Sequence, residues 1–294
     1  MLISFLVVFL CFSCLEIYFR FFFIRSDGFG ITLSSQRWFK RYWYPINSFG
    51  YRDNEWTKNN LENKTKVIVV GDSFVAGHGI ENIADRFSGV LAQNLGPAYA
   101  VITVAGNGWG TRTELMQLKN YPHKADIVIW SYFPNDIEEA ASRLNQGFKF
   151  PTPAAGIVKN ITSKSYFLDY IYWLLVRFKL NNASTNYIQW VNKQYADPQV
   201  WNLHKEELAL VCKSMGVNLI VVIFPFLQDV DGSKFIVTKV KNVFEGCGVK
   251  VVEVSDLVSN LSKNEVTINK LDAHPGKKVH ELLGNSLYKL VLQM

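Results

Sequence analysis

Cysteine is scarce in this chain, at four in 294 residues, which excludes a disulfide-stapled miniprotein. Charge is sparse as well: Asp, Glu, Lys and Arg make up 19% of residues, against 49% hydrophobic. That balance excludes a disordered protein and leaves enough apolar material for a large core. There are no internal repeats and no low-complexity tract. Several chemical signatures are missing too. No H-E-x-x-H points to a metal centre, no G-K-[ST] completes a P-loop, and no G-x-S-x-G marks the nucleophile elbow of an α/β-hydrolase. The length suits one large α/β domain or two small ones, plus an N-terminal segment.

What is present begins with charge, and its position matters more than its sum. The formal net charge is +6. Between Arg20 and Lys66 nine basic residues face four acidic ones, an excess of five, whereas everything after Lys66 carries about +2. Basic residues do not interleave with aromatics in that later part, so nucleic acid is not an expected partner. The excess lies beside an apolar N-terminus, where it suits anionic lipid headgroups.

That N-terminus reads L-I-S-F-L-V-V-F-L-C-F-S-C-L-E-I-Y-F-R-F-F-F, interrupted only by Glu16 and Arg20. Counted through Phe23, it approaches the ~20 residues that a bilayer requires. It lacks the basic start and small-residue cleavage site of a secretory signal. Residues 1–24 are therefore expected to form an uncleaved anchor, with a helix packed on the domain as the alternative. The basic residues after the span would hold the domain in the cytoplasm by the positive-inside rule. Cys212 and Cys247 could pair or stay reduced, and their apolar neighbours favour buried thiols.

Residues 25–65 read as a basic, aromatic stem ending in N-S-F-G-Y-R-D. From 66 onward, apolar β-branched runs alternate with helical stretches. Lys66–Val70, Tyr99–Val104, Asp126–Tyr132, Val217–Phe224 and Val249–Val254 are expected strands, and Phe87–Leu95 and Glu114–Lys119 expected helices. Such alternation implies a parallel sheet covered on both faces. The alternation stops between 137 and 201, a helical insertion or cap. Within it, Ser165–Phe178 is apolar with a helical period, and suits either an acyl-binding wall over the site or a helix packed on the sheet.

Four loops carry candidate chemistry. Gly71-Asp72-Ser73 follows the first strand, where open α/β sheets bind ligands, and leads towards helix N–H groups that could stabilise negative charge. A plain turn with Ser73 capping a helix would look the same. Ala105-Gly106-Asn107-Gly108-Trp109-Gly110-Thr111 follows the second strand, and its glycines let backbone N–H groups approach a substrate closely. Its G-x-G-x-G spacing differs from the dinucleotide fingerprint. Asn135, in Pro134-Asn135-Asp136 after the third strand, could donate its amide to an oxyanion or cap a helix. Near the C-terminus, Asp272-Ala273-His274-Pro275 places a carboxylate two positions before a histidine, the pairing that activates a serine.

Taken together in this order, these blocks resemble the SGNH (GDSL-type) hydrolase family, over roughly Ser48 to the C-terminus. N-S-F-G-Y-R-D looks like a subgroup with an N-terminal membrane segment. The resemblance implies a flavodoxin-like three-layer α/β/α sandwich over residues 66–294. It implies Ser73 as nucleophile, His274 as general base and Asp272 as its orienting acid, with Gly108, Asn135 and the Ser73 N–H forming an oxyanion hole. No cofactor or metal is implied. The expected activity is hydrolysis of an acyl or acetyl ester through an acyl-serine intermediate, on a small-molecule or carbohydrate substrate. The resemblance implies an extracytoplasmic domain, opposite to the charge rule. An O-acyltransferase or deacetylase acting on cell-envelope polysaccharide is the alternative within enzymes. A catalytically idle, membrane-anchored binding protein is the alternative outside them.

Overall fold

The four-residue run Val67–Val70 has no solvent exposure, as expected of a strand covered on both faces. It forms the centre of β1 (Thr65–Gly71). In the computed structural model, which describes residues 2–148, 160, 162–215 and 218–294, β1 is the hub of a five-stranded sheet. The other strands are β2 (Tyr99–Ala105), β3 (Ile127–Tyr132), β4 (Leu219–Ile223) and β5 (Lys250–Glu253). All pair in parallel, in the order β2-β1-β3-β4-β5. This is the flavodoxin-like order, whose direction of winding reverses between β1 and β3.

Helices cover the sheet in two groups. Phe87–Leu95 packs on Lys277–Val291, while Pro198–Met215 packs on Thr111–Asn120, Ile137–Arg143 and Lys234–Gly246. The result is a three-layer α/β/α arrangement. Each expected strand is present within a residue or two of its expected bounds, and Phe87–Leu95 is a helix over its whole expected length. The start of the fourth expected strand, Val217, lies outside the described residues. A further antiparallel pair, β6 (Thr267–Asn269) and β7 (Asp272–Pro275), forms near the C-terminus.

Two compact units divide the chain: Tyr44–Phe148 with Ile188–Met294, and Met1–Trp43 with Lys149–Tyr187. The larger holds the sheet. In the smaller, helix Leu2–Phe21 has a mean hydropathy of 2.4 over its most apolar window, long and apolar enough to cross a membrane; a signal sequence passes the same test. Its later turns pack on the start of helix Tyr166–Ala196, with Phe19 against Phe167 and Tyr170. Glu16 accepts from the backbone N–H groups of Tyr166 and Phe167 and from the Ser165 hydroxyl.

Two details depart from expectation. Arg52, counted with the basic stem, is 1% exposed and faces backbone carbonyls of the larger unit. Cys212 and Cys247 form a disulfide rather than buried thiols, with Cys247 exposed.

Candidate active site

Open α/β sheets bind ligands at the carboxyl ends of the strands where the winding reverses, here β1 and β3, and the register pairs Gly71 of β1 with Ala105 of β2 and Val70 with Trp130 of β3. The loops after these three strands therefore lie side by side. They carry Ser73, Gly108 and Asn135.

After β1, Asp72 accepts from the Phe74 N–H at 2.9 Å and caps a single helical turn, Ser73–Ala76. The helix expected to lend its N-terminus to the site is thus only four residues long. Ser73 is 8% exposed. Its Oγ lies 2.8 Å from His274 Nε2, and His274 Nδ1 lies 2.6 Å from Asp272 Oδ1. The Asp272 Oδ1 also accepts from the His274 backbone N–H at 3.1 Å. Because the carboxylate can only accept when ionised, the imidazole proton sits on Nδ1. Nε2 then carries a lone pair aimed at the hydroxyl. The alignment is that of a serine whose proton can be withdrawn as its oxygen attacks.

β7 delivers Asp272 and His274 together. In an extended strand, residues two apart point to the same side, and here both are buried while Ala273 between them is exposed. The spacing of two therefore places acid and base on one face.

Gly108 lies exposed in the loop after β2, with φ of +73°. The same loop begins helix Thr111–Asn120, whose first N–H groups, on Arg112 and Thr113, donate to Glu139. After β3, the Asn135 side chain hydrogen-bonds Asp72, and its Oδ1 has no partner among the described residues. The structure thus links Asn135 to the residue before Ser73.

Behind these loops lie three fully buried carboxyl groups. Burial pushes the Asp72 carboxyl up, against the Phe74 N–H bond and the nearby His274. Burial, then the charge of Asp72, raises Asp136 well above the usual carboxylate range. Burial, then the charges of Asp136 and Asp72, does the same to Glu114. Neither Glu114 oxygen has a hydrogen-bond partner among the described residues.

Sequence reasoning missed two contributors. Arg52 donates to the carbonyl oxygens of Gly77 and Ile80 at 2.7 and 2.6 Å, clamping the turn that follows the serine. Arg86 holds the Arg52 carbonyl at 2.6 Å and pairs with Asp53 at 3.2 Å. Burial, then the neighbouring Arg86, pulls Arg52 down to about 9. The N-S-F-G-Y-R-D motif was the available signal. His78, on the turn after the serine, also reaches the site, with its Nε2 3.7 Å from Asp272 Oδ2.

His78, Asp272 and His274 form the one group of potential metal ligands close enough to share an ion among the described residues. The geometry does not suit one. Both nitrogens of His274 already face Asp272 and Ser73. The two imidazoles are parallel within 4°, and lone pairs lying in parallel ring planes do not converge on one point.

No family model and no curated protein matches this chain. Among solved structures, the chain is similar to a lipase/acylhydrolase from Enterococcus faecalis, at 15% identity and a TM-score of 0.49, covering 77% of this chain and 94% of that one. It is similar to a member of the lipolytic G-D-S-L family from Veillonella parvula DSM 2008, at 12% identity and 0.45, covering 78% and 99%. A carbohydrate acetylesterase family member from Sinorhizobium meliloti matches at 14% identity and 0.42, covering 78% and 98%.

Proposed function

We propose that this protein is a membrane-anchored serine esterase of the SGNH (GDSL-type) kind. One observation carries the reading: the continuous Ser73–His274–Asp272 alignment, at 2.8 and 2.6 Å, at the carboxyl end of a central parallel strand. Ser73 Oγ attacks the ester carbonyl carbon while His274 Nε2 takes the hydroxyl proton, and Asp272 stabilises the imidazolium that forms. We assign the Ser73 and Gly108 N–H groups, with the amide hydrogen of Asn135 not given to Asp72, to the developing oxyanion. Collapse expels the alcohol, which receives its proton from His274, and leaves an ester on Ser73. Water, deprotonated by the same imidazole, then releases the acid and restores the serine.

The placement rests on separate support. Helix Leu2–Phe21 has no buried residue, which favours an anchor facing lipid over a helix packed on the domain, and the contacts of Glu16 and Phe19 at its end favour its retention over removal as a leader. The Cys212–Cys247 disulfide favours an oxidising, extracytoplasmic compartment.

The test is turnover of a short p-nitrophenyl ester together with labelling by a fluorophosphonate. Both are expected of the wild-type protein and neither of a folded Ser73→Ala variant. Retained turnover in that variant would overturn the mechanism, and a folded wild-type protein that takes no label would favour an idle binding protein.

A further inference from the structure

The turn after the nucleophile is built with more constraint than a turn requires. Gly77 and Gly79 sit at φ of +75° and +83°, flanking His78 in a conformation side-chain-bearing residues rarely adopt. A Cβ on Gly79 would lie 2.6 Å from Ile268 and 3.1 Å from Asp272 Oδ2, so β6 and β7 approach too closely for any other residue. The Gly77 and His78 N–H groups both donate to the Ser73 carbonyl at 3.0 Å. Arg52 holds the Gly77 and Ile80 carbonyls from the other side. The backbone at 78 is thereby fixed at both ends, and with it the origin of the His78 side chain.

That side chain lies flat on the catalytic imidazole. The rings of His78 and His274 are 4.1 Å apart between centroids and 4° from parallel, and His78 is 3% exposed. Phe74 borders His274 at 5.2 Å and 60°, so it does not set the same plane. His274 has two hydrogen bonds along its long direction, to Asp272 and Ser73. With Cγ tethered to Cβ, those bonds set the mean plane of the ring, and what remains is tilting of the ring out of that plane. A flat neighbour stacked 4.1 Å away opposes that tilting across the whole ring face.

We propose that His78 is a positioning residue: its stacked ring restrains tilting of His274, keeping the Nε2 lone pair on the Ser73 hydroxyl through the reaction. The inference rests on the serine-esterase reading above and names a determinant of it. It acts on the rate of the chemical step, not on ester binding, because the pair touches the base and its acid.

The experiment compares His78→Phe, which keeps a flat ring, with His78→Leu, which fills similar volume without one; His78→Gln serves as a second non-aromatic variant. The expected result is a fall in kcat of about 10- to 100-fold for Leu and Gln, with KM nearly unchanged, and recovery of most of that loss in Phe. Thermal melts identify the folded variants. A role confined to packing predicts Leu and Phe alike. Wild-type kcat in a folded His78→Leu or His78→Gln variant, or an equal fall in a folded His78→Phe variant, would overturn the proposal. Ser73→Ala separates the two readings. If it remains active, the serine mechanism itself fails; if it is inactive and the non-aromatic variants are not impaired, only the role of His78 fails.

Discussion

Replacing Asp272 by Asn isolates the charge of the triad. Asp272 is fully buried, and its Oδ1 takes two N–H groups, the His274 backbone at 3.1 Å and Nδ1 at 2.6 Å. In the Asn variant those two donors select the amide oxygen for that position. The amide nitrogen then falls where Oδ2 stands, 3.7 Å from His78 Nε2. With the amide oxygen accepting Nδ1–H, what is lost is a negative charge beside the imidazolium of the transition state. For unit charges about 4 Å apart at an effective dielectric of about 20, that interaction is about 4 kcal/mol. Each 1.36 kcal/mol is tenfold in rate, so kcat should fall by about 10³, with KM unchanged. The assay is p-nitrophenyl acetate turnover by the whole 294-residue chain in detergent, paired with the rate of fluorophosphonate labelling, which needs the same activated serine and should fall in parallel. A folded Asp272→Asn variant within about tenfold of wild type would refute the reasoning. It would mean that His274 does not become cationic as the serine attacks.

Two other predictions concern stability. Glu114 has its folded-state value raised well above its ordinary 4.5. The native state therefore prefers it protonated. Its stability contribution is full below pH 4.5 and is lost as pH rises towards the raised value. Glu114→Gln should flatten that loss, making the variant more stable than wild type at pH 8 by on the order of 1–3 kcal/mol; urea midpoints across pH check it, and parallel curves for the two proteins would exclude it. The Cys212–Cys247 disulfide closes a sequence separation of 35, worth about 4 kcal/mol in chain entropy. Cys212→Ser with Cys247→Ser should lower the melting temperature, whereas a melt unchanged by either substitution or reductant would show the bond does not form.

The sheet was legible because its signal is local and redundant. A buried parallel strand needs apolar residues on both faces, and Val67–Val70 and Leu219–Ile223 supply them without interruption. Arg52 was not legible for the opposite reason. A lone arginine in a polar, aromatic stretch looks solvated, and its burial depends on carbonyl groups at Gly77 and Ile80, 25 and 28 residues away. The same holds for His78, whose partners lie near residue 272, and for the disulfide, whose halves sit at the ends of separate helices.

The acid and base show what spacing does and does not specify. Two residues apart, Asp272 and His274 can share a face only if the backbone is extended there. β7 is extended because β6 pairs with it, Thr267 opposite Pro275 and Asn269 opposite Asp272. The same pair fixes the turn from a second direction, since Ile268 of β6 fills the space that a Cβ on Gly79 would need. So one two-stranded ribbon does two things: it turns a spacing of two into a common face, and it presses the turn bearing His78 onto the base. A substitution that weakens β6, far from Ser73 in sequence, should therefore lower kcat by misaligning acid and base together. The motif names the residues, but the ribbon sets the alignment on which they depend.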